Sequence, residues 1–585
     1  MNEQHFGAKL TSDGTTFRLW APAAKRVDLL LDRGRYPLAS AKHGWFETYI
    51  AGAKAGTRYK FRIDDEIDVP DPASHFQPED VFGPSEVIDH DNYAWRAEDW
   101  RGRLWHETVL LEAHVGAFTR DGTYRAMIDK LDRLVETGIT ALELLPLADF
   151  AGRRNWGYDG VLWYAPDSAY GRPEDLKLLI DEAHLRGIMV FLDVVYNHFG
   201  PEGNYLGRYA PEFFTDAQTP WGSAIDYRVP QVRAFAIENA IHWLDEYRFD
   251  GLRLDAVHAI TATGEIPMLH DLSLAAGELA AETGRHIHLT LENDDNCVGL
   301  LDPIQDRPRG KYHAQWNDDY HHAWHVKLTA EKQGYYSDYQ RSPLSYIARC
   351  LGSGFAYQGE VSGHRDGKAR GEKSGALPPT AFVNFLQNHD QIGNRPFGDR
   401  LDGLAKPEAI KAALAVTLLA PSIPMLFMGE EWGSKVPFPF FCDFKGDLAE
   451  AVRKGRRDEY AWAYEKFGSD VPDPLSETTF RSATLDWEYR DNSERLSLVK
   501  ELLVVRRRHI MPLLADAHFG DAHAAENGLL HANWRLGGDV TLWLTANLSD
   551  QALSSPSKQN LAMPIWGEPA DTMKPWSALW QMETR

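Results

Sequence analysis

The chain has 585 residues, 43% of them hydrophobic and 12% aromatic, enough to bury several cores and to suggest two to four domains. Its 85 acidic against 62 basic residues give a formal net charge of −23 with no long run of one sign. That balance disfavours a nucleic-acid or anionic-membrane partner and leaves a neutral small molecule as the compatible substrate.

Three cysteines, Cys297, Cys350 and Cys442, are too few and too scattered for a disulfide framework or a zinc cluster. The start Met1-Asn2-Glu3-Gln4-His5 lacks a signal peptide's basic and apolar regions, and no window approaches about 18 uninterrupted apolar residues. A soluble, cytoplasmic protein is expected, with no membrane association and a monomeric state.

Residues 1–98 read as a small β-sandwich of short strands at Thr16 to Trp20, Val27 to Leu31, Trp45 to Ile50 and Tyr59 to Ile63. The prolines of Val69 to Phe76 exclude regular structure there. From about residue 108 strands alternate with helical patterns. Strands are expected at Val109 to Val115, Ile139 to Leu145, Ile188 to Val195, Phe249 to Asp255, His286 to Glu292, Tyr312 to Trp316, Phe382 to Gln387 and Ile423 to Met428.

A helix bearing Met127, Leu131, Leu134 and Val135 follows the first strand; others are expected over 173–186, 230–247 and 265–283. Eight such units predict an α/β fold, a (β/α)₈ TIM barrel over 99–512, with a doubly wound open sheet as the alternative. Phe199 to Val229 reads as an irregular lid insertion, Asp443 to Asp486 as another long charged loop, and helix 493–508 closes the barrel. Leu529 to Leu548 alternates, so 513–585 is expected to be a small C-terminal β-domain.

In a barrel the carboxyl ends of the strands share one face, so polar residues there converge however far apart they are in sequence. The third strand ends in Asp193 to His198, the fourth in Arg253-Leu254-Asp255, the fifth in Glu292-Asn293-Asp294 and the seventh in Gln387-Asn388-His389-Asp390. An arginine two residues before an aspartate on a strand lies on its face and can hold it ionised. Three acids and two histidines, with neither a cysteine nor a His-rich metal set, suit acid–base work at a glycosidic bond better than zinc hydrolysis. Clustered carboxylates divide into one kept protonated and one kept ionised, the asymmetry such chemistry needs.

These four segments resemble, in order and spacing, the four conserved regions of the α-amylase superfamily of glycoside hydrolases. The resemblance implies a nucleophile at Asp255, a general acid/base at Glu292 and a third, transition-state-stabilising acid at Asp390. It implies that His198 and His389 bind hydroxyls of the sugar being cleaved, that Arg253 orients Asp255, that Asp193 shapes the site, and that Tyr158 stacks beneath the sugar. Glu112 to Thr119, Gln315 to His322, Asn388 to Arg395, Phe427 to Gly433 and Asp71 to Ser74 resemble the maltooligosyltrehalose trehalohydrolase family within it.

That family hydrolyses the α-1,4 bond next to a terminal trehalose. By resemblance the mechanism is retaining, with the two carboxyl groups about 5–5.5 Å apart. A compact trehalose leaving group asks for a closed product-side pocket. Candidates to line it are Asp294, Asp295, Trp316, Asp319, His321 and His322, with His258 a further sugar contact. No cofactor is expected, and no metal: although some superfamily members bind calcium through the asparagine equivalent to Asn197, Phe199 to Asp226 lacks acids at calcium-loop spacing. Two alternatives stay open: a glycogen branching or debranching enzyme, and a non-catalytic glycan-binding protein on a hydrolase scaffold.

Overall fold

Strand pairing in the first module follows the side-chain alternation. In Gly14–Trp20, Phe17 and Leu19 are buried between half-exposed Thr16 and Arg18, and the strand runs antiparallel to Trp45–Ala51. Lys9–Leu10 and Ala39–Ser40 complete that sheet. A second sheet, ordered Gly34–Pro37, Val27–Leu31, Arg58–Ile63 and Ile67–Val69, packs on it, with the Phe17 and Tyr59 rings 4.7 Å apart. The computed structural model describes residues 5–219, 222–261, 266–304, 306–488, 493–555 and 562–584.

Eight parallel strands then close into a barrel in chain order: Leu110–Ala113, Ala141–Leu144, Met189–Val194, Gly251–Leu254, His288–Leu291, Ala314–Trp316, Phe382–Asn384 and Ile423–Phe427. The first pairs with the eighth, Glu112 opposite Phe427, so no edge is left open. All are buried along their length, which is why they read as apolar runs rather than alternations. Each lies inside its expected run, trimmed by at most three residues at either end.

The open sheet is thereby excluded. Helices Pro173–Leu185, Pro230–Asp245 and Pro407–Leu419 each begin on a proline, whose missing N–H costs nothing at a first helical position. Among the described residues no helix is long and apolar enough to cross a membrane.

Three stretches differ from expectation. The helix after the first strand is two helices, Tyr124–Ile128 and Leu131–Thr137; Met127, Leu131 and Leu134 are buried, but the break turns Val135 outward to 42% exposure. Phe199 to Val229 is not irregular. It carries a helix, Leu206–Tyr209, and a hairpin, Phe214–Thr219 with Gly222–Ile225, and it is pinned to the N-terminal module by Phe213 against Trp20 and by the Ala23 N–H on the Tyr209 carbonyl.

Asp443 to Asp486 holds helices Gly446–Glu459, Ala461–Phe467 and Glu477–Ser482. Helix Glu494–Val505 follows, and the C-terminal strands His518–Ala524, Leu529–Leu536, Val540–Asn547, Ser577–Thr584 and Met563–Trp566 form one sheet.

Candidate active site

Arg253 organises the carboxyl ends of the third, fourth and fifth strands. Its strand can approach the third because it begins at Gly251, where a Cβ would stand 2.3 Å from the Phe191 ring and 2.4 Å from the His288 carbonyl. The fully buried guanidinium donates from Nη1 to Asp193 Oδ1 and Oδ2 at 2.9 and 2.7 Å and to Asp255 Oδ1 at 2.7 Å. Nη2 lies 3.2 Å from Glu292 Oε2 without a well-directed hydrogen bond. The face of the group rests on the Trp316 ring, 4.1 Å from its centre. One cation therefore serves three carboxylates.

The chain turns sharply after Asp255. Ala256 has φ 43°, a left-handed conformation costly for a residue with a Cβ, and its N–H donates to Glu292 Oε2 at 2.7 Å. Asp255 Oδ2 in turn accepts from the Asn197 side chain at 3.1 Å.

These surroundings drive the two carboxyls apart. Burial pushes Asp255 up, but the charges of Arg253 and His198 and the Arg253 hydrogen bond outweigh it and leave the group below its usual range. At Glu292 burial wins over Arg253 and, with Asp255 and Asp390 close by, holds the carboxyl well above its usual range. One group is thus kept ionised and the other protonated. Asp193, fully desolvated, is pushed up to about 6 despite Arg253.

Tyr158 is aimed by the turn before it: Gly157 has φ 109°, and a Cβ there would sit 2.2 Å from the Pro146 carbonyl. The phenol donates to Asp193 Oδ2 at 2.6 Å and the ring stacks on His389, centroids 4.9 Å apart. His198 Nε2 meets the Tyr158 carbonyl at 2.9 Å.

At the seventh strand the Asn388 side chain caps the short helix His389–Gly393, accepting from the N–H groups of Asp390 and Gln391 at 3.0 and 3.2 Å, which fixes both neighbours at the mouth. His389 donates from Nδ1 to Glu112 Oε1 at 2.5 Å, and its Nε2 is 3.5 Å from Asp390 Oδ1. Burial lowers the imidazole, but the Asp390 and Glu112 charges prevail and raise it to about 9, so it is a cation at neutral pH.

The outer candidates separate into two groups. Asp294 and Asp295 are partly exposed at the rim and paired with Arg365; Asp294 also meets Arg370 at 3.0 Å, and its N–H donates to His258 Nδ1 at 3.5 Å. Trp316, Asp319 and His321 are each about 1% exposed and committed to the protein. Trp316 is the floor beneath Arg253. Asp319 accepts from Asn296, Arg370, the Tyr339 hydroxyl and the backbone N–H groups of Ala356 and Tyr357, so it braces the loop behind the rim. His321 is held by the Leu386 carbonyl and the Tyr336 hydroxyl, while His322 stacks on Tyr335 at 4.4 Å.

Four further residues stand at the site without a role in the sequence motifs. Glu112 and Asp318 stand inside two of the motifs, and Asp318, raised to about 7 by burial and then by Asp294, is within electrostatic reach of Asp390 as well. Arg365 and Arg370, from a hairpin before the seventh strand, carry no sequence signal.

A closed parallel barrel whose mouth gathers such carboxylates defines a glycoside hydrolase of the α-amylase class. Residues 89–212 match the alpha amylase catalytic domain family, and residues 5–76 match carbohydrate-binding module 48, the isoamylase N-terminal domain. A pullulanase from Paenibacillus barengoltzii solved with maltotetraose shares the fold at 18% identity, with a TM-score of 0.74 over 100% of this chain and 96% of that one.

A solved chain from Salmonella typhimurium superposes with a TM-score of 0.93 at 43% identity, over 99% of both chains. The malto-oligosyltrehalose trehalohydrolases of Deinococcus radiodurans and Saccharolobus solfataricus are 41% and 40% identical, over 90% and 86% of this chain and 88% and 87% of theirs. The chain belongs to the malto-oligosyltrehalose trehalohydrolase family. A 1,4-alpha-glucan branching enzyme from Corynebacterium jeikeium is more distant, 32% identical over 73% of this chain and 62% of its own.

Proposed function

We propose that this enzyme hydrolyses the α-1,4-glucosidic bond adjacent to the terminal trehalose of maltooligosyltrehalose, releasing free trehalose with retention at the anomeric carbon. The observation that carries the chemistry is the placement of Asp255 and Glu292 around one guanidinium, Asp255 Oδ1 2.7 Å from Arg253 Nη1 and Glu292 Oε2 3.2 Å from Nη2, which favours an ionised Asp255 while burial favours a protonated Glu292. Glu292, held protonated, gives its proton to the oxygen leaving with trehalose. Asp255, held ionised and aimed by Arg253 and Asn197, attacks the anomeric carbon. Glu292, now a carboxylate, then takes a proton from the water that releases the glycosyl group.

Asp390, at the mouth beside the cationic His389, stabilises the charge developing on the sugar, and Tyr158 stacks beneath that ring. His198, His389 and His258 bind the sugar at the cleaved bond, while Arg253 orients Asp255 and Asp193 shapes the site. Two carboxylates sharing one arginine suit direct attack, whereas an inverting pair stands about 6.5–9.5 Å apart to admit a water. The same reading makes Asp294 and Asp295, with Asp294 braced through Arg370 by Asp319, the wall that accepts trehalose.

We further place the enzyme in the cytoplasm as a monomer; Cys297, Cys350 and Cys442 are free, as suits a reducing compartment. The test is incubation with maltotriosyltrehalose and, separately, maltopentaose, followed by chromatography. Rapid free trehalose from the first with little change in the second is expected. New α-1,6 branches or glucose ladders would refute the reading.

A further inference from the structure

Away from the barrel mouth, three histidines distant in sequence converge. His75 belongs to the proline-rich segment that ends the N-terminal module, His90 to the turn His90–Asn92 leading into the barrel, and His242 to helix Pro230–Asp245. One ring nitrogen of each lies within 4.8 Å of the other two. His90 Nε2 and His75 Nδ1 are 3.1 Å apart, near the edge of roughly 3.3 Å expected of a tetrahedron with metal–nitrogen bonds of about 2.0–2.1 Å.

The rings form one cluster: His75 stacks on His242 with centroids 4.5 Å apart, and His90 lies tilted to His75 at 5.0 Å and edge-on to His242 at 5.3 Å.

The surrounding groups are those that orient histidine ligands. His242 Nε2 lies 3.1 Å from the Tyr164 carbonyl, which places the proton there and the lone pair on Nδ1. His90 Nδ1 is buried without a hydrogen-bond partner, and 3.9 Å from it stands Glu246 Oε2. A histidine bound through one nitrogen while the other faces a carboxylate or a carbonyl is the usual arrangement at zinc. The nearby Lys177 ammonium is held by the His90 carbonyl at 3.0 Å and lies 4.0 Å from the same Glu246 oxygen, so the carboxylate is shared between it and His90.

We propose that His75, His90 and His242 bind a zinc ion that ties the end of the N-terminal module to the barrel helix Pro230–Asp245, with water in the fourth position. Three imidazole nitrogens suit zinc and not calcium or magnesium, which take oxygen ligands.

The full-length chain, stripped with a chelator, is titrated with zinc chloride and, in parallel, with cobalt chloride. One equivalent of zinc per chain is expected, with a rise in Tm and the visible absorption of tetrahedral cobalt–imidazole. His90→Gln and His242→Gln should each weaken zinc binding by about tenfold or more, and Glu246→Gln by about tenfold. The cobalt spectrum of the unmodified chain decides the matter should a variant fold poorly. No zinc uptake at micromolar concentration, or uptake unchanged in both histidine variants, would overturn the proposal and leave the rings as a hydrogen-bonded histidine pair beside a third.

Discussion

Replacing Arg253 with glutamine removes the one charge shared by Asp193, Asp255 and Glu292 while retaining a hydrogen-bond donor. Unit charges about 4 Å apart attract by roughly 4 kcal/mol at an effective dielectric near 20, which sets a ceiling near three pKa units at about 1.36 kcal/mol each. Carboxylates beside arginines are in practice depressed by about one to three units. On the proposed mechanism Asp255 must be ionised to attack, so its depressed pKa makes activity present at higher pH and lost as pH falls through that value. Without Arg253 the pKa rises, so the acid limb of kcat/KM moves to higher pH by about two units.

Arg253 also restrains Glu292, so the alkaline limb should move up with it, a joint displacement that misfolding would not produce. At pH 7 kcat should fall by about 10²–10³-fold, as when one preorganised donor is lost. The assay is kcat/KM on maltotriosyltrehalose across the pH range, with circular dichroism to verify folding. An acid limb left in place would refute the reasoning.

Three further outcomes are expected. Asp255→Asn should lower kcat by several orders of magnitude while leaving the melting profile near that of the unmodified enzyme, and unchanged turnover would contradict the assignment of the nucleophile. His389 is raised from its ordinary value near 6.5 to about 9, so its contribution to stability is fully present below about pH 6.5 and lost as pH rises through about 9. Glu112→Gln should shrink that dependence, read by urea unfolding across the window. Asp319→Ala leaves the buried Arg370 short of a partner and should destabilise the fold by about 3 kcal/mol or more, also loosening the rim and lowering the preference for trehalose-capped substrate. Unaltered unfolding would oppose that reading.

The barrel was legible because parallel strands buried on both faces read as apolar runs, and the polar residues that end those runs mark one face. Arg253 and Asp255 could be paired from spacing alone, two residues apart on a strand. Other features depend on chain reversals that no local pattern records. Glu112 reaches His389 across 277 residues, and Asn197 reaches Asp255 across 58.

The loop residues show the same limit. Asp319 sits in a recognisable motif, yet only the packing of Tyr339, Arg370 and the 356–357 backbone around it shows that its oxygens face protein. Periodicity failed at Val135, where a break after Ile128 rotates the next helix, and in Phe199 to Val229, where aromatic residues suggested a free lid but pack on the N-terminal module.

The central claim is attack by Asp255 with Glu292 as acid and then base, and its most direct test is the configuration of the newly formed reducing end. Proton NMR of maltotriosyltrehalose hydrolysis, recorded before mutarotation equilibrates the anomers, should show maltotriose appearing first as the α-anomer. First appearance of the β-anomer would require a water-separated, inverting pair and would contradict the account.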